Sequence, residues 1–251
     1  MDRAAPAATG HTGRMGSFTG IPHAATDFYA RLEEDNTKEF WARHKDDFER
    51  HVRGPMEALL AELEPEFGPA KLFRPHRDVR FGPDKSPYKT HQGAYVAVAE
   101  ATGWYLQVSA DGLMLGGGCY RMDPARLRSF RAAVDSPGTG QQLERLVEDL
   151  RGDAWEIGGE QVKTAPRGWD REHERIALLR HKALTCMRWV EDGDVVTTPR
   201  LVEEVRTRWE QVRPLVEWLA ATDPGPAAGA GAGEAAGTTF DPGRDVAADL
   251  S

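Results

Sequence analysis

The sequence predicts an α+β domain in which helices flank a mainly antiparallel sheet. Three observations carry that expectation. The first part of the chain has helical apolar spacing. Its middle breaks into short β-branched or aromatic runs separated by turn residues. Its last apolar stretch is again helical. At 251 residues, with apolar residues at 40% and charged residues at 29%, the chain has enough material for one core and a solvated surface.

The elements follow in order. Residues 23 to 67 read as helical. Asn36 with Glu39 fits a capping box, and Phe40, Trp41, His44, Phe48 and Val52 then repeat at helical spacing. Gly54-Pro55 is expected to break that helix and open another with Met56, Leu59, Leu60 and Leu63 as its apolar stripe. The runs "GAYVAVAE", "GWYLQVS" and "GLMLGGGCY" read as strands, with Asp111-Gly112 as a hairpin signal between the last two. Asp123-Pro124 opens a helix over 124 to 134, a second helix covers 139 to 150, and "ALTCMRWV" at 183 to 190 is another strand. Thr198-Pro199 opens the closing helix, whose face is Leu201, Val202, Val205, Trp209, Val212, Leu215, Val216 and Leu219. Pro214 is expected to kink or interrupt it.

This gives one domain over residues 18–221. Residues 1–17 are small and polar and read as a disordered N-terminal segment. Residues 222–251, rich in Ala, Gly, Pro and Asp, read as a disordered acidic tail, because they bury too little to offset their ordering entropy. The formal net charge is −8, half of it in that tail. Such a balance argues against a nucleic-acid partner. No run reaches a membrane span and no signal-peptide stretch opens the chain, so no membrane association and a cytoplasmic location are expected. Two cysteines, Cys119 and Cys186, do not make a disulfide framework and read as small buried hydrophobes.

Against this background "RDVRFGPDKSPYKTH", residues 77 to 91, stands out. Arg77, Arg80, Lys85 and Lys89 supply many donors for a carboxylate or phosphate. Pro83 and Pro87 stiffen the stretch, while Phe81 and Tyr88 either anchor it or, for Tyr88, present a hydroxyl. Tyr88 and His91 would orient an anion or exchange protons. His181 and Lys182 in "RHKALT" would add a proton donor and a charge. The expected partner is therefore a small anionic ligand; whether chemistry follows on it stays open. The alternative is an interaction module whose basic loop docks on an acidic protein or nucleic acid. Gly116 to Gly118 are read mainly as a place where a helix or side chain packs on a strand. They form neither a phosphate loop nor a dinucleotide fingerprint, and no cofactor is expected. His44, Asp47 and His51 share a helix face that reads as solvated, so no metal is expected.

Several stretches, "FTGIPHAATDFYARLEEDNTKEFWARHKDDFERHVRGPMEALL", "KLFRPHRDVRFGPDKSPYKTHQGA", "LMLGGGCYRMDPARLRSFRAAV", "PRGWDREHE", "LLRHKALT" and "RPLVEWL", together resemble the bacterial and fungal family known as domain of unknown function 2461. The resemblance spans about 18 to 221 and implies a single soluble α+β domain. It brings no established activity, cofactor or catalytic residue.

Overall fold

The computed structural model describes residues 17–77, 85–223 and 225. The segments expected to be disordered therefore lie almost wholly outside the described residues, as do Arg80, Phe81 and Pro83 of the basic stretch.

The chain opens with helices α1 (His23–Glu34) and α2 (Lys38–Phe48). A π-turn, Glu49–Arg53, joins α2 directly to α3 (Gly54–Phe67). The helix is thus not broken at Gly54-Pro55. The wider turn absorbs the proline's missing N–H, and Gly54 keeps right-handed helical angles. The cap of α2 also differs from the expectation. Thr37 accepts the bond from the Phe40 N–H, because the Asn36 amide is engaged elsewhere.

The sheet has strands β1 (Ala70–Leu72), β2 (His91–Ala99), β3 (Thr102–Ser109), β4 (Gly112–Cys119), β5 (Glu156–Gly158) and β6 (Leu184–Trp189). Their spatial order is β1-β2-β3-β4-β6-β5, and every pairing is antiparallel. The fold is α+β. The hairpin between β3 and β4 closes Ser109 against Gly112, whose φ of 116° needs glycine. Helices α4 (Pro124–Asp135) and α5 (Pro137–Gly152) follow β4, with Asp123 capping α4 through the Ala125 and Arg126 N–H groups. Short helices α6 (Ile176–Leu179) and α7 (Gly193–Val196) precede the closing α8 (Leu201–Ala221). Pro214 does not interrupt α8. Val212, Leu215, Val216 and Leu219 are fully buried on both sides of it and hold the helix through the lost hydrogen bond. Among the described residues no helix is long and apolar enough to cross a membrane.

Strand alternation divides the sheet into two faces. One carries Ala94, Val96, Trp104, Leu106, Val108, Leu113, Leu115 and Leu184 and packs against the helices in the main core. Trp209 of α8 is fully buried there. Its indole N–H donates to the Tyr105 carbonyl (3.3 Å), and the Trp104 indole donates back to the Trp209 carbonyl (3.2 Å). The other face holds a small cluster of Tyr105, Met114 and Met187 with Phe73. Among the described residues, no helical side chain joins it.

Candidate functional site

The described residues between β1 and β2 form two arms that run beside each other. The Phe73 N–H donates to the Gly93 carbonyl (3.0 Å), the Lys89 N–H to the Pro75 carbonyl (2.8 Å), and the Arg77 N–H to the Pro87 carbonyl (2.9 Å). His76 and Tyr88 face each other as an antiparallel bridge between the arms. The two arms thus run antiparallel beside the start of β2, with bends at Pro75 and Thr90.

Tyr88 and His76 take the helical side. The Tyr88 ring is stacked on Trp41 of α2, 4.3 Å between centroids and 9° between planes, with His76 5.1 Å away. Asn36 fixes the same residue by its backbone. Its amide Nδ2 donates to the Tyr88 carbonyl (3.0 Å) and its Oδ1 accepts from the Tyr88 N–H (3.1 Å). Burial, and secondarily the Glu39 charge, raise the Tyr88 hydroxyl above the usual tyrosine value. Tyr88 is thereby an anchor of the loop.

Lys89 and His91 take the helix-free side, Lys89 by its contact with Phe73 and His91 by its place on β2. Lys89 is only 2% exposed and His91 7%. The Lys89 ammonium lies 5.4 Å from the centre of the Phe73 ring. His91 is paired across the ladder with Ser109, and Gly93 with Gln107. Gln107 and Ser109 are also buried. The Tyr105 hydroxyl donates to Gln107 Oε1 at 2.8 Å. Lys85 is exposed on the returning arm. Arg80 lies outside the described residues.

His181 and Lys182 are not brought to this place. They precede Leu184, which pairs with Cys119 at the far end of β4, whereas His91 lies level with Ser109 and Gly112. The strand rise separates these ends by roughly 23 Å. His181 is buried, its Nδ1 donates to the Ala183 carbonyl (2.8 Å), and burial holds its pKa below the usual histidine value against that bond. Lys182 pairs with Glu160.

The three glycines of β4 serve packing. A side chain on Gly117 would meet Val212 of α8 at 2.6 Å, and Gly118 has a φ of 125°. His44 bonds Asp47 (3.1 Å), which holds the Asp47 carboxyl below its usual range. Among the described residues no group of three histidine, cysteine or acidic side chains is placed to hold a metal. Both thiols are buried, and burial pushes Cys186 up to about 12 and raises Cys119. Neither is a thiolate at neutral pH.

Sequence reasoning did not single out Asn36, Tyr105, Gln107 or Ser109 for this place. A partial signal existed in "GWYLQVS", where Tyr105, Gln107 and Ser109 alternate with the apolar Trp104, Leu106 and Val108. That pattern marks a polar face on a strand but not the strand opposite it.

Fold and geometry together define an α+β domain whose antiparallel sheet packs its helices on one face, with Lys89 and His91 buried at the edge of the other. The profile of the conserved hypothetical protein family DUF2461 matches residues 24–218, and the chain belongs to that family. No curated protein and no solved structure matches it.

Proposed function

We propose that this domain, as a cytoplasmic protein, binds a small anion bearing a phosphate or carboxylate group on the helix-free face of the sheet, at Arg77, Lys89 and His91. One observation carries the reading. The two arms run side by side through the His76–Tyr88 bridge; Tyr88 anchors on the helical side, while Lys89 reaches the Phe73 ring on the other side, to which His91 of β2 also belongs. A cation held by backbone register costs little further entropy when an anion arrives. The burial of Lys89 and His91 supports a ligand small enough to reach into the sheet, and so favours it over docking on a large partner.

The test is thermal unfolding in phosphate, sulfate or citrate against chloride at matched ionic strength. An anion that binds only the folded protein at a hundredfold excess over its Kd adds about 2.7 kcal/mol. For a domain of this size that raises Tm by about 5–10 °C. Arg77→Ala and Lys89→Ala should remove the excess over chloride while both variants still unfold cooperatively. A wild-type response that follows ionic strength alone, or variants that keep the full response, would overturn the proposal.

A further inference from the structure

The corner where α4 meets α6 holds two arginines that no carboxylate answers among the described residues. Arg131 of α4 donates its Nε–H to the carbonyl of Leu179, the last residue of α6 (3.1 Å), and Arg180 follows in the chain. Both residues are half-buried. The Arg180 Nε is closed off from solvent and has no hydrogen-bond partner among the described residues. In both residues Nε is thus turned inward. The Nη atoms of both make no bond among the described residues and are open to solvent.

The neighbouring carboxylates are engaged by other cations. Asp135, four residues after Arg131, binds His173 (3.0 Å). Glu144 and Glu174 flank Arg175 (3.5 and 2.6 Å), and Glu160 pairs with Lys182. The electrostatics carry the same mark. Arg53, Arg206 and Arg213 are raised above the usual arginine value, each foremost by a hydrogen bond to a glutamate. Arg131 is instead lowered, by burial alone. At His181, next to Arg180, the charge of Arg151 adds to the lowering by burial, and no carboxylate offsets it. Taking a charge partly out of water is costly unless an acceptor faces it, so this corner is poised for an acceptor from outside the chain.

We infer that Arg131 and Arg180 form a second anion site, for a phosphate or carboxylate group, at the α4–α6 corner. It is independent of the site proposed above, because residues 180–184 and His91 lie at opposite ends of the sheet. An Nη1–Nη2 edge matches two oxygens of one such group. The bond from Nε to Leu179 holds the Arg131 fork in place, so an arriving anion has less side-chain freedom to remove. Being open to solvent, the site is the weaker of the two, and at concentrations that saturate the first it adds little to Tm. Its readout is therefore local.

The experiment follows the Nε–Hε NMR signals of Arg131 and Arg180 in the full chain while phosphate or acetate replaces chloride at matched ionic strength. The signals are assigned from Arg131→Lys and Arg180→Lys, each first checked for cooperative unfolding. In the wild type both signals should shift and saturate together. Lysine keeps the charge but loses the fork, so each variant should bind at least fivefold more weakly, read at the arginine that remains. Arg180→Lys removes no side-chain hydrogen bond of the described fold, and serves even where Arg131→Lys fails to fold. A stronger response to phosphate assigns the site to a phosphate group, and a stronger response to acetate to a carboxylate; either supports it. Shifts that follow ionic strength alone, or an Arg180→Lys protein that binds within twofold of wild type, overturn the inference. Lys89→Ala separates the two sites. It should leave these shifts unchanged; if it abolishes them, they report on the helix-free face and this inference fails while the first site stands.

Discussion

Replacing Asn36 by alanine tests the fastening of the loop most directly. Asn36 and Tyr88 are joined by two hydrogen bonds of 3.0 and 3.1 Å across 52 residues of sequence, one donated and one accepted. Each such bond contributes about 0.5–1.5 kcal/mol net, and a backbone group left unpaired in a buried place costs about 1–3 kcal/mol. Asn36 is half-buried, so water can partly replace it, and the lower half of that sum applies. Asn36→Ala should therefore lose about 2 kcal/mol, and Tm should fall by about 4–8 °C for a domain of this size. Urea unfolding should shift its midpoint with little change in slope. Hydrogen exchange should show Tyr88 losing protection more than Val96 or Leu106 in the sheet interior. Asn36→Asp is the sharper variant. It keeps the acceptor for the Tyr88 N–H but sets a carboxylate against the Tyr88 carbonyl, so it should be no more stable than alanine. An Asn36→Ala protein within about 0.5 kcal/mol of wild type, with Tyr88 exchange unchanged, would refute this account of the loop.

Trp209→Ala should cost about 3–5 kcal/mol in urea unfolding, because the ring is fully buried and its N–H bonds the Tyr105 carbonyl. Truncation after Gly225 removes an Ala-, Gly- and Pro-rich stretch and should leave Tm within about 2 °C. Truncation after Ala221 should cost about 2 kcal/mol instead, since Asp223 pairs with the buried Arg126 at 3.4 Å and the Thr222 hydroxyl bonds the Leu219 carbonyl. His181 has a folded pKa lowered by burial, so its contribution is fully present above its unfolded value of about 6.5 and is lost as pH falls below it. Between pH 6.5 and 5 the urea midpoint of wild type should fall more steeply than that of His181→Gln; equal slopes would refute the assignment.

What the sequence made legible follows the reach of each interaction. The α4 cap at Asp123-Pro124, the hairpin before Gly112 and the apolar stripe of α8 depend on neighbours within a few residues, and each lies where its pattern points. Asn36 misleads because propensity makes it a good cap. Its amide is claimed by Tyr88, and Thr37 caps instead. Gly54-Pro55 misleads because a π-turn uses the same residues that usually stop a helix. For the site, composition alone marks the basic stretch between β1 and β2. Which of its side chains share a face depends on the pairing of His76 with Tyr88, and the remoteness of His181 and Lys182 depends on the β4–β6 register. Gln107 enters only through its pairing with Gly93. A single sequence encodes these pairings through contacts between distant residues, which local periodicity does not report.

The strand order has a consequence for how copies of this chain meet. The inner strands run to between six and nine residues, but the outermost, Ala70–Leu72 and Glu156–Gly158, have three each. A border that short presents few unpaired N–H and C=O groups to a neighbouring chain. Next to one of them, the longer edge of β2 is shielded further where Phe73 bonds Gly93 and the Gln92 amide covers the Phe73 carbonyl. At its other end the Ala97–Ala99 irregularity disturbs a straight template. The architecture thus guards against edge-to-edge pairing of sheets, the failure that threatens antiparallel proteins during synthesis, when many identical chains fold close together.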